Sequence, residues 1–355
     1  MTWEGPGFVD HHTHLLRVSV GAKGACDYSN PAELAAYHHA IFDDGSTPMD
    51  QPPEPATADD LPAAIEAGLA KAAALGLVEI TEAGMTDWAH FEALTTLRQR
   101  GPLPTRVRIL VASGAADLKR MDHTGDEWVD IIGVKFYADG WLGPRTCALR
   151  HAFDDRPGEQ GLLFLDSSHL AARIEPYAEE RWTVATHAIG DRAIEAVLDA
   201  YDMVYAGAAR AEAPRIEHAQ VLHPDLVARM ADMGVVICLQ PGFAVTDAEA
   251  GWEALGDRMA SAYRWQLLFD AGVRVIAGSD YPIETLDPLV GLAELVTGGR
   301  NGKDKAVAKP IGFDDALAIM TDTWCGATIL SDDPHTLDPA QLADLEVVGT
   351  HPRAT

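Results

Sequence analysis

The chain has 355 residues, 47% of them hydrophobic and 23% charged, with 54 acidic against 27 basic side chains and a net charge of −27 at pH 7. That composition supports a large buried core and excludes disordered, collagenous and fibrous classes. So acidic a surface repels nucleic acid and anionic membranes, which leaves small molecules as the expected partners.

Eight strand-like runs follow in chain order: Gly7–His14, Leu77–Gly84, Thr105–Ser113, Ile131–Gly140, Thr183–Gly190, Arg215–Val221, Val235–Pro241 and Arg274–Asp280. Most are nearly continuous in apolar residues, as strands covered on both faces are. Helix-like stretches separate many of them: Leu61–Leu75, Trp88–Arg100, His169–Glu180, Asp191–Tyr205, Pro224–Met233 and Ala260–Ala271. In DRAIEAVLDAY the spacing sets Ile194, Val197 and Leu198 on one helical face. Strands alternating with helices predict an α/β fold with a parallel sheet, and eight such units favour a distorted (β/α)8 TIM barrel over an open sheet.

Three stretches break the rhythm. Gly21–Asp60 is Pro-rich and too long for an ordinary loop, so it reads as a lid or active-site rim. Trp141–Leu165 follows the fourth strand and carries WLGPRT. From Leu330 onward, turns and one short strand lie outside the barrel. Residues 1–329 therefore form the expected barrel domain and 330–355 a C-terminal tail.

The candidate chemistry sits at strand ends. Side chains alternate faces along a strand, so His12 and His14 in GFVDHHTH point the same way and can clamp one cation. Lys135, in IIGVKFYADG, is a buried lysine whose ammonium form burial disfavours. It either pairs with Asp139 or Glu217, or stands neutral and takes up carbon dioxide to give an anionic carbamate that bridges two cations. His187 in TVATHAIGD and His218 in RIEHAQV, on successive strands, offer nitrogen ligands to a second cation. Asp280 in GSDYP can touch a metal and act as general base toward its water. A parallel barrel gathers strand ends around one point, which would bring these six together.

Arg145, Thr146, Arg192 and Gln240 lie at strand ends or on the loops after them, where substrate contacts come from, and Trp141 and Tyr281, with Tyr137 and Phe243, could line an apolar surface. Asp191 is placed to cap the helix it opens. Cys26, Cys147, Cys238 and Cys325 form no CxxC pair, so reduced thiols are expected, with Cys147 and Cys238 as small apolar fillers. The segment MTWEGPGFVD has no basic or apolar leader region, and no run of 18 apolar residues occurs, so a cytoplasmic location is expected.

Taken together, HxH, Lys, His, His and Asp on strands one, four, five, six and eight resemble the amidohydrolase superfamily of metal-dependent hydrolases. VKFYADGWLGPRT, THAIGDRAIEAVLDAY, RIEHAQVLHPDL, LQPGF and LLFDAGVRVIAGSDYPIETLDPL are similar to its YtcJ-like, or amidohydrolase-3, group, which includes N-substituted formamide deformylases. The resemblance implies a binuclear centre, commonly Zn2+, with two ions per chain and a CO2-derived carbamate on Lys135. It also implies hydrolysis of a C–N bond by a metal-bridging hydroxide. His12, His14 and Asp280 would hold one ion, His187 and His218 the other. The same centre could serve a lactonase, a deaminase or a lyase, and a non-catalytic relative is the remaining alternative. Members usually carry a flanking β-sandwich; here it is expected to be absent or vestigial, since only six residues precede the first strand. A homodimer fits a barrel of this size.

Overall fold

The computed structural model describes residues 2–16, 60–121, 125–206, 213–299 and 307–353. The Gly21–Asp60 insertion falls outside these except for Asp60, and Cys26 lies outside them as well. The described residues divide into two compact units, one within Met1–Ile132, Ala277–Ala293 and Phe313–Thr355, the other within Gly133–Ile276 and Glu294–Gly312.

In the first unit, β1 (Trp3–Thr13), β2 (Leu77–Met85) and β3 (Arg106–Ala112) pair in parallel, β1 with β2 and β2 with β3. β2 is buried along its whole length, its two glutamates included: Glu79 pairs with Arg106 and Arg108, and Glu82 accepts from Leu16 N. β1 begins four residues earlier than the apolar pattern indicates. Its first half pairs antiparallel with β9 (Thr321–Leu330), which in turn pairs antiparallel with β10 (Val347–Pro352). The short strand expected in the tail is β10, while β9 lies in a stretch that apolar periodicity does not single out. Asp60 caps α1 (Leu61–Ala74), its carboxylate accepting from Ala63 N at 3.1 Å, and Asp87 caps α2 (Trp88–Arg98) in the same manner.

β4 (Val129–Tyr137) carries the chain into the second unit, where the strand order is β4, β5 (Thr183–Ala188), β6 (Arg215–His218), β7 (Val236–Leu239) and β8 (Arg274–Ala277). β4 through β7 pair in parallel with successive neighbours. The helices here are α3 (Ser167–Glu179), α4 (Asp191–Tyr205), α5 (Pro224–Met233), α6 (Phe243–Thr246), α7 (Ala248–Leu255) and α8 (Trp265–Asp270). Ile194, Val197 and Leu198 of α4 are all buried, as their spacing predicts. Several strands stop short of their apolar runs for a local reason. His218 and Ala219 take left-handed backbone angles, φ 76° and 47°, which end the β6 ladder; Tyr263, at φ 52°, separates a short 3-10 turn (Gly256–Ser261) from α8 within the single helix expected there.

Both units are α/β with mostly parallel strands, and neither sheet closes on itself. Among the described residues no helix is long and apolar enough to cross a membrane. Close backbone approach at the end of β5 requires a glycine, since a Cβ on Gly190 would lie 2.0 Å from the Ala148 carbonyl oxygen. Gly190→Ala should therefore destabilise the chain by about 1–3 kcal/mol, read as a lowered midpoint in urea unfolding; an unchanged midpoint would mean that the loop yields freely.

Candidate metal centre

Within the first unit, three of the expected residues meet. His12 is the penultimate residue of β1 and is buried, whereas His14 lies just beyond the strand and is partly exposed. Their rings stand edge to face with centroids 5.5 Å apart. Nε2 of His12 lies 3.5 Å, and Nε2 of His14 3.2 Å, from the same oxygen, Oδ1 of Asp280. Burial alone would raise the Asp280 carboxyl. The charge of His12 and hydrogen bonds from His12 and His14 outweigh it and hold the group well below the ordinary carboxylate range.

The triad is held by a neighbouring carboxylate. Asp10 Oδ1 accepts hydrogen bonds from His12 N (3.0 Å) and Ser279 N (2.9 Å), while its Oδ2 accepts from the Ser279 hydroxyl (2.5 Å). Burial pushes Asp10 up to about 6, only partly offset by these donors. Main-chain bonds from Asp280 N to His12 O (2.7 Å) and from His14 N to Tyr281 O (2.8 Å) complete the join. A Cβ on Gly278 would sit 2.3 Å from His12 N, so only glycine lets the segment approach so closely. Glu82 of β2, buried, accepts from Leu16 N at 2.8 Å and places Oε1 3.7 Å from His14 Nδ1.

Within the second unit, Lys135, His187 and His218 occupy the C-terminal ends of β4, β5 and β6, and all are buried. Lys135 Nζ stands 4.6 Å from the centre of the Tyr137 ring. The rings of His187 and His218 are 4.6 Å apart. His187 Nε2 lies 3.0 Å from the Gly140 carbonyl oxygen and 3.4 Å from Asp139 Oδ1. A carbonyl only accepts, so the proton sits on Nε2 and the ring lone pair is on Nδ1, the state a metal ligand needs. Asp139 gathers three backbone donors, Ala148 N at 2.8 Å, Ile189 N at 3.0 Å and Gly190 N at 2.9 Å. Glu217 pairs with Arg215 at 2.9 Å.

The remaining expected residues divide by how their polar atoms are used. The Arg145 guanidinium binds Asp155, Glu253 and the Gly143 carbonyl. Thr146 Oγ1 accepts from Trp141 N at 2.9 Å, and Arg192 donates to the Gly161 carbonyl at 3.2 Å. The Tyr281 hydroxyl accepts from Lys71 Nζ at 3.1 Å. Gln240 is buried, and its Oε1 has no hydrogen-bond partner among the described residues. Asp191 is the first residue of α4 and not its cap, which is Gly190; its carboxylate binds Arg150 N and His223 Nε2. Cys147 and Cys238 are fully buried and form no disulfide. Sequence reasoning missed Asp10, Ser279, Glu82 and the clasping role of Asp139. Ser279 directly precedes Asp280 and Asp10 stands two residues before His12, which was the available signal; Glu82 offered none.

Residues 32–350 match the model of the Amidohydrolase family, amidohydrolase-3 group. The chain belongs to this family. The matched range takes in Lys135, His187, His218 and Asp280, whereas His12 and His14 precede it. The chain is 33% identical to the putative amidohydrolase YtcJ of Bacillus subtilis (strain 168) over 274 residues, 70% of this chain and 51% of that protein. It is 28% identical to the N-substituted formamide deformylase of Arthrobacter pascens over 176 residues, 48% of this chain and 32% of that enzyme. The chain thus spans about half or less of the length of these curated relatives. A metal-dependent hydrolase of Pyrococcus horikoshii shares the fold, with a TM-score of 0.75 at 20% identity, covering 95% of this chain and 88% of that one.

Two outcomes follow from the buried carboxylates. Asp139→Asn turns an acceptor into a donor facing a backbone N–H and should destabilise the chain by about 2–4 kcal/mol in urea unfolding; a loss below the measurement error would deny Asp139 its clasping role. Asp247, at the junction of α6 and α7, is pushed up to about 6 by burial, which hydrogen bonds from Tyr263 and Gln220 only partly offset. The folded chain therefore keeps a proton that the unfolded chain, at 3.8, releases. Stability from this group is full below that value and is lost as pH rises through about 6. Relative to Asp247→Asn, the wild type should lose on the order of 1–2 kcal/mol across this window, and a pH-independent difference would contradict it.

Proposed function

We propose that this chain is a metal-dependent hydrolase that cleaves a C–N bond, in an amide, formamide or related group, of a small molecule. The observation that carries the reading is the convergence of His12 and His14 Nε2 on one Asp280 oxygen, in a chain of the Amidohydrolase family. The donor atoms of these three residues lie within 4.8 Å of one another, and two of the three residues are buried. Two imidazole nitrogens and a carboxylate suit a borderline divalent ion such as Zn2+. In the same reading His187 and His218 would hold a second ion, with Lys135, as a carbamate, supplying an anionic ligand. Residues 1–329 act as one hydrolase domain, a distorted (β/α)8 barrel, with 330–355 as its tail.

When bound, such ions lower the pKa of water and polarise a carbonyl, which supplies nucleophile and electrophile at neutral pH. The chain's own groups do the rest. Asp280 is held ionised, so it can take the proton of the attacking water and return it to the leaving amine. Asp10 and Gly278 hold the segment that carries Asp280 against β1. Glu82 steadies His14 from its far side. The hydrogen bond from His187 to the Gly140 carbonyl holds the ring in its ligating tautomer. The lack of disulfides among the described cysteines and the acidic composition suit a cytoplasmic enzyme that meets neither nucleic acid nor anionic membrane, as a homodimer.

Elemental mass spectrometry of the purified chain tests this reading, with two equivalents of divalent ion expected. Loss of one equivalent is expected in His12→Ala and in His187→Ala. No retained metal, even after resupply, would overturn the reading. Turnover on a panel of formamides, N-acyl amines, lactones and aminated heterocycles should favour the first two. Asp280→Ala should lower kcat by about 10²–10⁴ while leaving much of the metal in place; near-normal kcat would remove Asp280 as the proton carrier.

A further inference from the structure

Beyond the ends of β6 and β7 lies a group of acceptor oxygens that the binuclear reading does not use. Gln220, two residues past His218, is buried; its amide donates to Asp247, so its nitrogen faces that carboxylate, and its Oε1 has no hydrogen-bond partner among the described residues. Gln240, the first residue past β7, is equally buried. Its nitrogen lies 3.6 Å from the Cys238 sulfur, and its Oε1 is likewise without a partner among the described residues. Asp247 is partly buried and accepts from the Tyr263 hydroxyl at 2.6 Å through Oδ2. Tyr263 is fixed in turn, its backbone N–H donating to the Gln220 carbonyl at 2.9 Å. The group sits beside a candidate metal ligand: the Phe243 ring lies 5.9 Å from that of His218, and Asp247 follows Phe243 by one helical turn.

Native interiors rarely leave amide oxygens unsatisfied, because each costs the full desolvation of the group. Two of them just past the ends of paired strands, both acceptors, with a carboxylate hydrogen-bonded to the first, call for a ligand that brings only donors and a positive charge. A primary ammonium has three N–H donors and no acceptor, which matches this set in number and in sign. The net charge of −27 also draws cations toward the chain from solution.

We propose that Gln220, Gln240 and Asp247 form a subsite for a primary ammonium group of the substrate, so that the preferred substrates are amides that carry an amine near the scissile bond. The substrate assignment rests on the hydrolase reading above, whereas the ammonium site does not. Asp247 supplies the charge and the two glutamine oxygens fix the orientation. Tyr263 is a positioning residue that holds the carboxylate.

Calorimetric titration of the zinc-loaded chain at neutral pH, with n-butylammonium chloride and with 1-butanol as its uncharged counterpart, tests the site without needing turnover. The ammonium should bind at least about tenfold more tightly than the alcohol, the effect of one charged hydrogen bond. Asp247→Asn should erase that preference, and Gln240→Leu should reduce it. Equal binding of the two probes by the wild type, or an undiminished preference in a folded Asp247→Asn chain, would overturn the site. If Asp247→Asn loses its melting transition, Gln240→Leu alone decides, and an unchanged preference there counts against the site. Turnover of N-formyl-1,3-diaminopropane and N-formylbutylamine then separates the two claims. Equal kcat/KM for the pair would overturn the substrate assignment and leave the hydrolase standing. Asp247-dependent ammonium binding with no amide turnover would uphold the site and overturn the hydrolase reading.

Discussion

A buried carboxylate that collects backbone N–H groups is the constraint on which the candidate site depends. Asp10 holds His12 N with one oxygen and Ser279 with both, so the end of β1 and the segment after β8 cannot drift apart without leaving donors unpaired. Because an unpaired buried donor costs about 1–3 kcal/mol, this tie is stiff. It fixes where Asp280 stands, and hence the common point at which the two imidazoles meet it. Ligand side chains could occupy many rotamers, but the backbone that carries them has one arrangement.

The second unit uses the same device at a different place. Asp139 accepts three N–H groups from the loops that follow β4 and β5, and touches the His187 ring besides. In both units the acid next to a candidate ligand, and not the ligand itself, sets the geometry. That division of labour leaves the ligand's own atoms available for chemistry, as outer partners of metal sites generally do.

Some left-handed backbone strain lies in the same regions, while Arg145 and Arg181 carry it elsewhere. His218, Ala219, Tyr263 and Asp280 all adopt left-handed angles without being glycine, each at a cost of about 1 kcal/mol. Strand ladders end at such residues, and the chain turns there to present side chains instead of continuing the sheet. Hydrogen bonding in the loops compensates: Ala219 N bonds to the Ala188 carbonyl, and Ile283 N to that of Asp280. Stability is thus spent where the ligands stand and recovered from cores such as the buried face of α4.

Sequence by itself determined the alternation of strands with helices, the position of each candidate ligand at or just past a strand's C-terminal end, and the family. These follow from local periodicity and from long motifs, both of which are contiguous in the chain. Boundaries were less legible: β1 starts early because β9 pairs with it, and β6 stops early because of two left-handed residues, neither of which apolarity records. Only the tertiary structure decided which polar groups act together. Nothing in GFVDHHTH says that Asp10 will reach Ser279, 269 positions away, or that Glu82 will stand behind His14. It likewise decided that Arg145 spends its guanidinium on Asp155 and Glu253, while Gln240 keeps its carbonyl oxygen open. The physical reason is that a hydrogen bond is satisfied by proximity in space. Periodicity reports which face of an element is buried, but not which polar atom on another element will meet it there.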